Sequence, residues 1–282
     1  MNQTDHKVPL CQQVWEDDTP PLVSINCAAF NHSEFIQATL EGFLCQETNF
    51  KVEILIHDDA STDGTSEIIR SYEDRFPGII HGIYQSVNQY SKGNKPSRIN
   101  RDRSKGKYIA LCEGDDYWTD PQKLQIQVDF LEAHPDLSLC YHSVVISDGR
   151  FVENFSRDKD VRFSFVDSLR LKQGSTLSMV YRRMLLDETF QNLIVGLPIG
   201  DWPLEAYLLT KGDGYYFSAP MGFYRKHHSG QTMLAGFRRK SIQTKMVFLS
   251  RLLKVKGVSK RFPMIMYILL NYFRLVRLKL NG

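Results

Sequence analysis

The sequence predicts an α/β fold: a mostly parallel sheet flanked by helices, followed by a basic helical extension. Three observations carry this. From residue 22 to about 147, apolar runs rich in strand formers alternate with segments whose apolar residues recur at helical spacing. Three of those runs end in polar or acidic clusters. The charge is also split: Asp213 is the last acidic residue, and 14 Lys/Arg lie beyond it. That leaves 21 basic against all 32 acidic residues before it, so the C-terminal part faces a polyanionic partner.

Each element follows in order. Residues 1 to about 20 read as a loose polar leader. Residues 22–30 (LVSINCAAF) form a first strand, and Ser33 is placed to cap the helix carrying Ile36, Leu40, Phe43 and Leu44. Residues 52–59 (VEILIHDD) are a second strand ending in two carboxylates. The turn cluster ASTDG and a helix marked by Ile68, Ile69 and Tyr72 follow. Residues 79–85 and 107–116 give a third and a fourth strand. Asp120-Pro121 caps a helix that runs to about His134, before Pro135, and 137–147 is a fifth strand. Beyond 148 the pattern loosens. DGR (148–150) reads as a turn between strands, 175–183 and 215–225 as strands, and Trp202–Thr210 as a helix.

A chain of 282 residues holds one large α/β domain, or one domain and an extension. With 42% hydrophobic and 24% charged residues it has the composition of a soluble globular protein. The five cysteines include no CxxC pair, and Cys27 and Cys112 lie in strand-like runs, so they read as buried thiols of a reducing compartment. The N-terminus has no apolar signal region, which points to the cytoplasm. No nucleic-acid-binding motif is present, and none is expected to bind.

In an open parallel sheet, ligands bind beyond the carboxyl ends of the strands. Those ends carry Ala28-Ala29-Phe30-Asn31, Asp58-Asp59 and Glu113-Gly114-Asp115-Asp116. Carboxylates crowded into one crevice repel, and a divalent cation is the simplest compensation. In an extended segment Glu113 and Asp115 face the same side, and Gly114 allows close approach to the backbone. Mn²⁺ or Mg²⁺ prefers such oxygen ligands, with substrate phosphates completing the shell. The same tetrad also reads as a solvated turn. Asp58-Asp59 likewise reads either as a turn capping its own backbone or as a carboxylate for a nucleobase N–H.

The spaced motifs VSINCAAFNHSEFIQATLEGFLCQ, VEILIHDDASTDGT and GKYIALCEGDDYWTDPQKL resemble glycosyltransferase family two, whose members have the GT-A fold. The match covers about residues 22 to 145 and continues more weakly to about 230. HDDASTDGT stands at the family's nucleotide-binding aspartate turn, and EGDD at its DxD metal motif. The resemblance implies that Ala28 and Phe30 flank the nucleobase and Asp59 bonds its ring N–H. It implies that Glu113 approaches the ribose or the metal and Asp115 ligates the metal directly. Glu113 stands where the family has Asp, which keeps the charge on a longer arm.

Asn88, Lys92, Arg98 and Asn100 fall in the stretch that borders the donor in the family. Arg98 is a candidate bidentate phosphate partner, the alternative being a solvated loop. Direct displacement with inversion needs a general base for the acceptor hydroxyl. The resemblance places Asp201 there; Asp before Trp-Pro is also a good helix cap, and Asp187, Glu188 and Glu205 are alternatives. In relatives with a similar Tyr-Arg-x-His pattern the histidine lies near metal or phosphate, and His227 matches it. His57 reads as a packing residue.

Residues 237–282 mix Lys/Arg with large apolar residues, yet 263–273 is too short and interrupted to span a bilayer. The tail suits an anionic membrane interface, or packs on the domain or on a second copy. The expected division is a leader (1–20), a GT-A catalytic domain (21–235, with a nucleotide-sugar half 21–147 and an acceptor half 148–235) and a basic extension (236–282). The expectation is a metal-dependent inverting hexosyltransferase, peripheral on the inner face of a bacterial cell membrane. Its donor is a UDP-sugar and its acceptor a glycan or lipid-linked oligosaccharide. Metal-dependent nucleotidyl or phosphoryl transfer and a non-catalytic nucleotide-sugar-binding partner are the rival readings.

Overall fold

The computed structural model describes residues 7–15, 18–147, 152–155, 158–227, 237–257 and 261–280. The first half runs β1 (Val8–Pro9), β2 (Val23–Ala29), α1 (Ile36–Leu44), β3 (Glu47–Thr48), β4 (Val52–Asp58), α2 (Thr65–Arg75), β5 (Ile80–Tyr84), α3 (Pro96–Arg103) and β6 (Tyr108–Leu111). The second half runs β7 (Tyr117–Trp118), α4 (Lys123–Ala133), β8 (Leu137–Ser147), β9 (Val152–Phe155), β10 (Val161–Phe163), α5 (Phe165–Arg170), β11 (Val180–Arg182), α6 (Glu188–Ile194), α7 (Asp201–Leu208) and β12 (Asp213–Arg225). The extension holds α8 (Phe237–Leu252) and α9 (Arg261–Leu280).

The main sheet has the order β10-β12-β8-β11-β6-β2-β4-β5, with β7 paired to β12 and β9 to β8. The pairs β5–β4, β4–β2, β2–β6 and β8–β12 are parallel, while β11 lies antiparallel between β6 and β8. The register from Val23↔Val52 to Ala29↔Asp58 brings the ends of β2 and β4 level, and β6 ends beside them at Asn26↔Leu111. The acidic clusters therefore meet at one edge.

Parallel strands covered on both faces need apolar residues throughout, and every residue of β4 is buried. Alternate residues of β6 serve opposite cores. Tyr108 and Ala110 join Ile25, Ile54 and Phe43 on one face, and Ile109 and Leu111 join Tyr141, Trp202 and Phe248 on the other. The second core takes Phe248, Leu249 and Leu252 from α8 and Met264 from α9, each fully buried. Burying each such side chain contributes about 1.5–3 kcal/mol, so the start of the extension is part of the folded domain.

Several local expectations change. Residues 7–15 are not loose: β1 pairs with β3, Leu10 is buried, and the Gln13 amide donates to Thr48 O and Oγ1. Ser33 does not cap α1; its N–H donates to Asp63 Oδ2 at 3.0 Å, and Phe35 occupies the cap position. Asp120 Oδ1 accepts from Gln122 N at 2.8 Å in a turn, so α4 starts only at Lys123. The strand expected over 175–183 shrinks to β11 behind a 3₁₀ turn at Thr176–Ser178. The turn expected at 148–150 lies outside the described residues; β8 and β9 on either side of it pair antiparallel.

Candidate active site

The loop after β2 and the aspartate turn after β4 are tied together by reciprocal bonds. Asn31, at φ 54°, donates its N–H to Ser61 Oγ, and its Oδ1 accepts from Thr62 N, both at 2.9 Å. His32 N donates to Thr65 Oγ1 at 2.8 Å. Asp63 accepts from Ser33 and Thr65, and these bonds outweigh partial burial and hold its carboxyl down to about 2. The result is a rigid rim on which Ala28 is half-buried and Phe30 is 44% exposed. An exposed aromatic on an ordered rim is suited to stacking on a base.

The Asp59 carboxylate is also bound by the chain itself. It is 2% exposed; Oδ1 accepts from Gln89 N at 2.6 Å and Oδ2 from Tyr90 N at 3.0 Å. Its carboxylate thus anchors the loop before α3, with buried His57 Nε2 3.4 Å away. Asp58 accepts from the hydroxyls of Ser61 and Ser66. Asn100 is structural, donating to Cys27 O and Leu55 O at 2.8 and 2.9 Å. Arg98 is exposed on α3 and pairs with Asp102 at 3.5 Å, one helical turn away. Instead Lys95, at the head of α3, reaches the second half, donating to Pro198 O at 2.5 Å.

The turn after β6 is pinned by Gly114 N to Ala28 O at 2.9 Å and by the Thr39 hydroxyl to Gly114 O and Asp116 O at 3.0 and 2.6 Å. Gly114 is buried. A Cβ there would stand 2.9 Å from His32 Nδ1 and 3.1 Å from Ala29 Cβ, so internal packing already requires the glycine. Asp115 Oδ2 lies 2.8 Å from His227 Nε2 and 3.9 Å from His32 Nε2. Asp116, 1% exposed, accepts from Arg225 N at 2.8 Å. Burial, then the charges of Asp115 and Glu113, raise its carboxyl well above the ordinary range. Glu113 is exposed on the turn, yet lost hydration, then the charge of Asp115, raise its carboxyl as well. Arg225 donates to Asp115 O at 2.8 Å, and its guanidinium lies 4.6 Å from the Tyr117 ring centre.

Across the crevice, Asp201 is the first residue of α7. Its Oδ1 accepts from Trp202 N at 2.8 Å and its Oδ2 from Lys172 Nζ. Burial works to raise its carboxyl, but Lys172 prevails and holds it below the ordinary value. Glu113 senses Asp115, Lys172 and Asp201 together, which joins the two sides of the crevice electrostatically. Of the alternatives, Asp187 caps α6 through Phe190 N and accepts from Tyr207 at 2.6 Å, and Glu188 is exposed at the head of α6. Glu205 is fully buried beneath Asp201 and accepts from Tyr141 at 2.7 Å. His32 and Lys172 are the site residues that sequence reasoning missed. His32 stood two residues after Phe30 in the strand-end loop, while Lys172 had no local signal.

The family model for glycosyl transferase family 2 matches residues 24–194. The chain belongs to glycosyl transferase family 2. Among curated relatives, the uncharacterized protein Rv1520 of Mycobacterium tuberculosis is 38% identical over 212 residues, covering 74% of this chain. The chain spans only 60% of that relative's length. The Escherichia coli UDP-Glc:alpha-D-GlcNAc-diphosphoundecaprenol beta-1,3-glucosyltransferase WfaP is 40% identical over 112 residues, 39% of this chain and 41% of its own. Staphylococcus aureus TarS in complex with UDP-GlcNAc superposes with a TM-score of 0.68 at 16% identity, over 87% of this chain and 70% of that one. The Pyrobaculum calidifontis mannosyltransferase PcManGT, in complex with GDP-Man and Mn²⁺, gives 0.59 at 15% identity, over 91% and 72%. The fold is GT-A, as the motifs implied. A surface depression of about 380 Å³ beside Leu22, Lys107 and Arg183 lies at the opposite, amino end of β2 and β6.

Proposed function

We propose that the chain transfers a sugar, with inversion, from a UDP-sugar to a hydroxyl of a glycan or lipid-linked oligosaccharide during bacterial surface polysaccharide assembly. The observation that carries this is the opposition of two groups across one crevice: the Glu113–Asp116 turn with His227, and the Asp201–Lys172 pair. Phe30 and Ala28 stack on and flank the base. Asp59 orders the loop beside it and keeps lone pairs for a ring N–H. Asp201 accepts the acceptor's proton while the diphosphate leaves on the side of Asp115. Arg98 is left as a phosphate contact only if it exchanges its Asp102 partner.

A divalent cation fits this site. Three carboxylates crowd one turn, burial and the neighbouring charges raise those of Glu113 and Asp116, and His32 Nδ1 is buried without a partner. Among the described residues no three ligating side chains already form a cage, so Asp115 and His227 would hold Mn²⁺ or Mg²⁺ together with the donor's phosphates, Glu113 assisting. The ion would supply positive charge to the departing diphosphate. The donor and acceptor classes draw support from the printed names of WfaP and of TarS with UDP-GlcNAc. Product analysis tests the reading: transfer releases UDP, whereas phosphoryl or nucleotidyl transfer does not. Asp201→Asn should abolish turnover and leave donor binding intact; unaltered turnover removes Asp201 as the base.

The same reading places the enzyme against the inner face of the membrane through α9. Phe262, Ile265, Met266, Leu269, Leu270 and Tyr272 are exposed in one stripe, while Met264 and Asn271 turn inward. No helix among the described residues is long and apolar enough to cross a membrane. An anionic bilayer satisfies both the stripe and the acid-free basic tail. Because α8 lies in the core, the test is Phe262→Glu with Leu269→Glu rather than truncation at 236. Loss of sedimentation with phosphatidylserine vesicles is expected; retained sedimentation refutes it, and a dimer broken by the same changes identifies a second copy as the occupant.

A further inference from the structure

We propose that Lys172 is a positioning residue of the acceptor side: its ammonium fixes the orientation of the Asp201 carboxylate and provides its counter-charge. This rests on the reading of Asp201 as the base. The geometry divides the work between two donors. Trp202 N holds Oδ1 at 2.8 Å and Lys172 Nζ holds Oδ2, so the plane of the carboxylate is set from both sides. A base held in one orientation meets the acceptor hydroxyl without searching rotamers, and misplacement of such a group by about 1 Å can cost about 100-fold in rate.

Lys172 is itself held in place. It lies in the segment between α5 and the Thr176–Ser178 turn, and the neighbouring residues fasten that segment to the core. Gln173 N donates to Glu205 Oε2 at 3.4 Å, and Tyr141 donates to the same oxygen at 2.7 Å. A Cβ on Gly174 would stand 2.4 Å from Tyr141, so the backbone rests directly on that ring. Glu205 Oε1 is buried without a hydrogen-bond partner, leaving its charge to Lys172 and Lys245.

The charged and titratable groups facing Asp201 are Lys172, Lys95 from the head of α3, Glu113 from the β6 turn, Tyr141 from β8, Glu205 from its own helix and Lys245 from α8. Lys245 also lies 4.6 Å from the Trp202 ring centre. Burial works to discharge Lys172, but Asp201, Glu205 and Glu113 together keep it charged. Its cation then holds Asp201 ionised against burial. The sign follows. A base that must be deprotonated loses activity as pH falls through its pKa, and removing the adjacent cation raises that pKa.

The experiment measures kcat and kcat/KM against pH for the full chain, Lys172→Met, Lys172→Arg and Asp201→Asn, with UDP-sugar and acceptor. For Lys172→Met the acid limb should move up by about one to three pH units. Its kcat should fall about 10- to 100-fold while the donor KM changes less than about threefold. Lys172→Arg should restore the limb. An unmoved limb in folded Lys172→Met, or one that Arg fails to restore in a folded protein, overturns the proposal. Turnover by Asp201→Asn sinks the base assignment instead, so the two failures are distinct. Should Lys172→Met not fold, the proposal stands or falls on whether Lys172→Gln moves the limb.

Discussion

Replacing Phe248 with alanine tests whether the basic extension is built into the folded domain. Phe248 is fully buried in the second core and meets Trp202 edge to face, with ring centres 6.0 Å apart at 83°. Trp202 in turn gives its N–H to Asp201 and its indole N–H to Ser168 O at 3.0 Å. Phe→Ala at a buried site costs about 3–5 kcal/mol, from lost transfer energy and an unfilled cavity. The site is shared with Leu249, Leu252 and Met264, none of them free to fill the gap without leaving its own place, so the upper half of that range is expected. For a chain of this size each kcal/mol shifts Tm by about 2–4 °C. Urea and thermal unfolding of Phe248→Ala should therefore show a loss of about 4–5 kcal/mol and a Tm lower by about 8–20 °C. Phe248→Leu should lose less than half as much. A loss under about 1 kcal/mol would contradict the docking of α8 on the domain.

Two further predictions concern buried charges. Lys123 is fully buried, its Nζ has no hydrogen-bond partner and sits 3.8 Å from the Trp118 ring centre, and burial lowers it to about 7. Lys123→Met should raise stability at neutral pH by a few kcal/mol. Because the lysine's folded value is depressed, its penalty is full below pH 7 and fades towards 10.5, so denaturation curves should converge as pH rises between those values; a constant difference would contradict the assignment. Burial raises Glu205 to about 7, a shift that penalises the fold as pH climbs from the carboxylate's ordinary 4.5. Glu205→Gln should therefore gain on the natural chain between pH 5 and 7, and parallel Tm profiles would refute this.

Much of the fold was legible because β2, β4 and β6 are covered on both faces and so carry continuous apolar runs. β8 kept its expected bounds for the same reason, while β12, partly exposed, begins at Asp213, ahead of the expected start at 215. β11 was not legible: three residues behind a 3₁₀ turn carry no period, and its antiparallel insertion is a matter of tertiary pairing. The leader looked loose because its anchors are a two-residue strand pairing, one buried leucine and a few polar side-chain bonds, none of which carries a period. At the site, short-range motifs predicted the acidic turn, and the family resemblance supplied the His227 position. Lys172 stayed hidden because it lies 29 residues from Asp201 in a loop with no motif. Asp59 shows the opposite case: the motif was read for a ligand, while the carboxylate is also claimed by two backbone N–H groups.

The central claim is a nucleotide-sugar crevice completed by a cation on Asp115. Calorimetric titration of UDP-sugars into the full chain, with and without Mn²⁺, tests it most directly when repeated with Asp115→Asn. The account predicts binding that needs the metal in the natural chain and is lost or weakened at least about 10-fold in the variant. Equal donor binding with and without metal, unchanged by the substitution, would contradict it.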